Sequence, residues 1–199
     1  MGWTFTHKEK GTDLTKWFVE HGVLRWSETC DYEYKVLAGK TVNLSTYYGA
    51  VEKVHKETGE RAVFAVVILI RHVRTKRGWG ENFGYKDMSE EDGPCEAECP
   101  KSILELLTPT ESEYANDWRQ RCRVYQNARA QVAQLSPGRE LVFKDPLRFR
   151  DGTEACTFQV TGRRKSKGVV CRPFLLPGGV LLGFRMLIDN LLSGDLQII

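Results

Sequence analysis

Two kinds of apolar spacing alternate along the chain. Trp3-Thr4-Phe5-Thr6 has the two-residue period of a strand. Leu14, Trp17, Phe18 and His21 then share one face of a short helix, with Thr12-Asp13 as its N-cap and Gly22 as its terminator. Placed there, His21 reads as a histidine held by the last helical carbonyls rather than as a catalytic base. Val23 to Tyr34 is mixed, with Trp26, Tyr32 and Tyr34 as packing anchors.

The clearest strand signals follow. Thr41 to His55 carries Val42, Leu44, Thr46, Val51 and Val54, with Gly49 as a candidate bulge. Arg61 to Val73 contains the run Val66-Val67-Ile68-Leu69-Ile70, the pattern of a strand buried on both faces. Lys56-Glu57-Thr58-Gly59-Glu60 between them predicts a hairpin turn with Gly at the left-handed position.

From Thr75 to Cys99 no regular period is visible. Structureless loops beyond about 12–15 residues are uncommon in compact domains and are usually functional or disordered. Trp79, Phe83, Tyr85 and Met88 argue for an ordered loop packed by its own aromatics. Pro100 then opens a short helix with Ile103, Leu104, Leu106 and Leu107. Thr108-Pro109-Thr110-Glu111 predicts a capped helix start, with an apolar stripe from Tyr114 through Trp118, Cys122, Tyr125 and Val132 to Leu135. Arg119 and Arg123 fall on the opposite, solvated side. Ser136-Pro137-Gly138 stops the helix.

Beyond Arg139 the runs become short: Leu141 to Phe143, Leu147 to Phe149, Cys156 to Val160, Val169 to Cys171 and Val180 to Ile188. They predict a small antiparallel sheet or partly closed barrel. The fold class is therefore α+β. An N-terminal antiparallel hairpin sheet with helices, a long central loop and a capped helix occupies residues 1–136. A small all-β region occupies 137–199, in the same core or a separate one.

Composition places the chain of 199 residues among globular proteins, with 41% hydrophobic and 28% charged residues. The net charge of +3 selects no polyanionic partner. Its layout says more, because segregated charge can steer a charged partner. Basic residues gather at Arg71, Arg74, Lys76 and Arg77, at Arg148 and Arg150, and at Arg163, Arg164, Lys165 and Lys167; acidic ones lie between Asp87 and Glu98. There is no run of about 18 apolar residues to cross a membrane, and the N-terminus lacks the order of a secretion signal. The expected compartment is the cytoplasm, with the six cysteines reduced.

Candidate chemistry is sparse. Cys95 and Cys99 form a C-x3-C pair, but a structural zinc site needs a second pair or spaced histidines. They remain weak metal candidates, and no cofactor is implied. The four histidines have no ligand spacing, and phosphate-loop, serine-hydrolase and zinc-protease motifs are absent. Tyr85, Lys86 and Asp87 are the candidate catalytic group, since a lysine beside a carboxylate can hold phosphate or move a proton. Arg163 to Lys167 reads as a basic hairpin tip able to touch phosphate.

The segments Gly2-Trp3-Thr4-Phe5-Thr6-His7, Asn82-Phe83-Gly84-Tyr85-Lys86-Asp87-Met88, Gly93-Pro94 to Cys99-Pro100, Leu107-Thr108-Pro109-Thr110 and Trp118-Arg119 to Cys122 together resemble an uncharacterised family of proteins from bacterial mobile elements, phages and plasmids. The resemblance spans residues 1–123, with a looser likeness around Pro146-Leu147 and Asp151-Gly152. It implies context rather than an activity. The expected function is that of a non-enzymatic binding protein acting on nucleic acid or on a nucleic-acid-handling complex of host defence. The basic residues of 71–77 and 163–167 would contact phosphate, or the acidic stretch 87–98 would mimic it. The alternative is an enzyme with a small-molecule or nucleotide site at Tyr85, Lys86 and Asp87. No membrane partner is expected, and the oligomeric state is open.

Overall fold

The computed structural model describes residues 3–7, 13–75, 78–164, 168–173 and 179–199. They form two compact units, Met1–Arg123 and Val124–Ile199. The expected change of character after Leu135 falls later in the chain than this division.

The first unit is built on an antiparallel sheet. Its strands are β1 (Thr4–His7), β2 (Tyr32–Val42), β3 (Thr46–His55), β4 (Arg61–Thr75) and β5 (Gly78–Ser89), in the order β1-β5-β4-β3-β2. Strand β4 is buried on both faces, as its continuous apolar run predicts. Ala65 and Val67 join Tyr48, Ala50, Met88 and Trp118 in one cluster. Val66, Ile68 and Ile70 join Trp17, Phe18, Val23, Tyr47 and Val51 in another. The two-residue period of a strand sends successive side chains to opposite faces, and here each face has its own helices.

Several expectations are corrected. The segment read as a long loop is mostly β5, which pairs with β4 from Val66↔Ser89 to Thr75↔Gly78. Its glycines hid the strand, because glycine has no side chain to register a period. The run read as one strand from Thr41 is a hairpin: Asn43 and Leu44 have φ of 52° and 58°, and β2 pairs with β3 on either side of them. The bulge lies between Val36 and Ala38, not at Gly49. The first helix does not end at Gly22. Helix α1 (Leu14–Phe18), capped by the Asp13 carboxylate at 2.8 Å from the Thr15 amide, continues through a π turn at Val19–Val23 into α2 (Leu24–Thr29).

Helix α3 (Lys101–Leu104) and, through Trp118 and Cys122, the first half of helix α4 (Glu113–Ala133) cover the other face of the sheet. Helix α4 starts later than its predicted capping box. Ser112 Oγ accepts from the Ala115 amide, while Thr108 Oγ1 accepts from the Val63 amide at 3.0 Å and so ties the approach to β4. What remains of the expected loop, Glu90 to Cys99, is ordered by α4 rather than by its own aromatics. Trp118 Nε1 donates to the Glu96 carbonyl at 2.9 Å, and Arg121 Nη2 to the Pro94 carbonyl at 2.9 Å. Arg119, expected in solvent, is buried and donates to both carboxylate oxygens of Glu90.

The second unit carries β6 (Glu140–Arg148), β7 (Glu154–Arg164), β8 (Gly168–Pro173), β9 (Val180–Gly183) and β10 (Leu196–Ile198), in the order β10-β6-β7-β8-β9. This is an open antiparallel sheet, not a closed barrel. It is not all-β either. The run from Val180 turns at Gly183 into helix α5 (Phe184–Ser193). Phe184, Leu187, Ile188 and Leu191 have helical spacing, and Leu187 and Ile188 join Phe143, Phe158, Val169 and Val132 in the core.

Candidate functional site

Two neighbouring features mark the α1–α2 face of the first sheet. The first is a cleft of about 260 Å³ between α1–α2 and the strands β4 and β5. Its floor is Trp17, Phe18 and Ile68, each at most 4% exposed. Its helical rim is His21, Gly22, Arg25, Trp26 and Thr29, and its strand rim is Tyr85 and Asp87. The π turn sets the helical rim. π turns often mark functional positions because they rotate side chains off the regular helical stripe. Here His21 stacks on Trp17 with ring centres 5.1 Å apart and planes 16° apart, and its Nδ1 lies 3.0 Å from the Trp17 carbonyl. Tyr85 meets the same indole edge-on at 4.8 Å. A Cβ on Gly22 would press on the Phe18 ring at 2.7 Å, so the close approach of the helix to that ring requires glycine.

The second feature is a row of half-buried aromatics beyond α2. The β2–β3 register places Tyr32 opposite His55 and Tyr34 opposite Lys53. Tyr32 stands edge-on to His55 at 5.0 Å, and Tyr34 to Phe64 at 6.3 Å. Lys53 Nζ lies 5.6 Å from the Tyr32 ring centre and 5.9 Å from that of Phe64, a cation–π arrangement. Trp26 belongs to both features, lining the cleft and packing on Tyr34 at 5.6 Å. Burial raises the Tyr34 phenol above its ordinary value, with the nearby Cys30 and Tyr32 acting in the same direction, so it stays neutral well into the alkaline range.

The candidate group Tyr85, Lys86 and Asp87 is split by the strand. Tyr85 and Asp87 face the cleft, whereas Lys86, opposite Leu69, points to the other face. Arg71, opposite Gly84, is exposed on that same other face. Arg74 lies in β4 opposite Trp79, and Lys76 and Arg77 fall outside the described residues.

In the second unit Arg163 has structural work. Its Nη1 donates to the Ala133 carbonyl at 2.6 Å, at the C-terminus of α4, and its guanidinium covers the Phe184 ring at 4.9 Å. Arg164 ends β7 opposite Gly168, and Lys165 and Lys167 fall outside the described residues. Arg148 pairs with Glu154 at 2.7 Å. The acidic stretch is also partly engaged: Glu90 is buried, Asp92 accepts from the Ser89 amide at 2.7 Å, and Glu98 accepts from Asn43 at 2.7 Å.

Cys95 and Cys99 do not face a common point. Cys95 is exposed, while Cys99 is fully buried against Cys122, which together with burial pushes its thiol far up. Among the described residues no three histidine, cysteine or acidic side chains gather as a metal site.

Sequence reasoning missed Trp17 and Arg25 as cleft lining and Lys53, His55 and Phe64 as members of the aromatic row, and assigned Tyr32 and Tyr34 to packing. The readable signal was Tyr-x-Tyr on one strand facing Lys-x-His on the next, visible once the turn at Asn43-Leu44 is placed.

Residues 109–174 match a family described as a domain of unknown function (DUF6927). No curated protein and no solved structure matches the chain.

Proposed function

We propose that this is a non-catalytic binding protein of mobile-element origin that holds single-stranded nucleic acid on the α1–α2 face of its first sheet, alone or within a nucleic-acid-handling complex. The observation that carries the reading is the row Tyr32, Tyr34, His55 and Phe64 with Lys53 lying over two of its rings. Every base has a π face, so an aromatic row on a sheet accepts successive unpaired bases without reading sequence. Lys53 adds a cation for the phosphate between them.

The test is fluorescence anisotropy with single-stranded RNA, single-stranded DNA and duplex DNA across a salt series. Binding of single strands in preference to the duplex, weakening as salt rises, is the expected result. Equal or stronger binding of the duplex, or no binding at low salt, overturns the reading.

A second reading, an enzyme acting on a nucleotide, is favoured by one observation: His21 and Asp87 line the same cleft. Turnover of nucleotides that disappears in Asp87→Asn while folding is unchanged would establish it.

A further inference from the structure

The cleft adjoins the aromatic row through Trp26 but has polar groups of its own, and its chemistry is directional. The floor is apolar, formed by the Trp17 and Phe18 rings and Ile68, which suits a ring. Asp87 at the strand rim offers a carboxylate, which accepts hydrogen bonds only; Arg25 at the helical rim donates only. Among the described residues neither is in an ion pair with the other or with any further charge. Such a cleft fits a planar ligand with N–H donors at one end and an anion at the other. Its volume of about 260 Å³ is just below the range of drug-sized pockets, which begins at about 300 Å³. That is room for one nucleoside-sized group rather than a longer ligand.

The nucleobases differ at the edge a carboxylate would meet. Guanine presents two adjacent donors, N1–H and N2–H, which match the two oxygens of a carboxylate in parallel. Adenine and cytosine place a ring acceptor beside their amino group, and uracil flanks its one donor with two carbonyls. Each of these sets an acceptor against the carboxylate. We infer that the cleft is a guanine-selective pocket for a nucleoside monophosphate or an unpaired guanosine, with Asp87 reading the base edge and Arg25 holding the phosphate. The inference stands independently of the aromatic row, so either can fail alone.

The experiment is a titration of the whole protein with guanosine 5′-monophosphate, followed by the fluorescence of Trp17 and Trp26, which both line the cleft. Adenosine, cytidine and uridine 5′-monophosphates serve as competitors. Saturable binding of the guanosine ligand is expected, preferred by about 5- to 150-fold, the range a bidentate contact to a base edge provides. Asp87→Asn should abolish the preference and Arg25→Gln should weaken all four nucleotides, with melting temperatures unchanged because both side chains are exposed. Equal binding of all four nucleotides, a preference that survives Asp87→Asn, or no binding by the wild-type protein would each overturn the inference. Binding of an oligouridylate, which lacks guanine, reports on the aromatic row separately.

Discussion

The Glu90 carboxylate receives Arg119 Nε at 2.7 Å and Nη2 at 2.6 Å, in a core where both side chains are at most 5% exposed. Arg119 Nη1 continues to the Thr108 carbonyl at 2.6 Å. One guanidinium therefore fastens the end of β5 and the approach to α4 to the helix itself. Removing a single partner strands a buried charge, which costs about 3–5 kcal/mol. Urea denaturation of Glu90→Ala should show a loss of that size. The double variant Glu90→Leu, Arg119→Met should recover much of it, since matched apolar replacement of a buried pair is often neutral.

Stacking of a base on an aromatic contributes about 1–3 kcal/mol by alanine substitution. Tyr32→Ala and Phe64→Ala should each weaken single-strand binding by about 5- to 150-fold, measured by the same anisotropy titration. Lys53→Gln should instead flatten the salt dependence, because it removes a phosphate contact and no ring. Identical affinities in all three variants would move the binding surface elsewhere.

Stability should fall in alkali. Burial in the second core pushes the Cys171 thiol up from 9.0 to about 11. A folded-state value above the unfolded one means that the folded protein binds more protons between the two. The stabilisation is complete below about pH 9 and is lost as pH rises through the folded value. The raised phenols of Tyr47 and Tyr48 and the raised thiol of Cys99 act in the same direction. Thermal melts from pH 8 to 11 should show a declining melting temperature, with a shallower decline in Cys171→Ala.

Leu44 stands at φ 58° with 79% of its surface exposed. The left-handed region costs a residue with a Cβ about 1–2 kcal/mol, and glycine avoids most of it. Leu44→Gly should stabilise the protein by up to about 1 kcal/mol after glycine's larger unfolded-state entropy is offset. Denaturant midpoints would register the change. Asn43, its neighbour at φ 52°, should be left in place, since its amide holds Glu98.

Sequence pattern reported the fold where side chains carry a period. The two-faced burial of β4, the Asp13 cap and the buried stripe of α4 through Trp118, Cys122 and Val132 were all legible, whereas Tyr114, read as the start of that stripe, is 72% exposed. It failed where the period is interrupted or shared. Gly78, Gly80 and Gly84 erased the alternation of β5, and Val180 to Ile188 joined a strand and a helix without a polar break. Arg119 looked solvated because its partner Glu90 lies 29 residues away. Half of the candidate site was visible in Tyr85 and Asp87. Lys86 was included only because it is adjacent in sequence, which in a strand means the opposite face. The aromatic row was hidden because it depends on the register of two strands across a turn without glycine.

Both sheets are runs of consecutive hairpins completed by one strand from far along the chain. Strands β2 to β5 pair in sequence order, and β6 to β9 likewise, whereas β1 docks beside β5 and β10 beside β6. Contacts between distant residues are slow to form, because loop-closure entropy must be lost before they gain anything. The hairpin runs can therefore assemble first, and the end strands arrive last. Thr4 pairs with Tyr85, so the wall of the cleft is braced only when β1 docks. During synthesis on the ribosome β1 is made well before its partner and waits idle until Tyr85 has emerged to receive it.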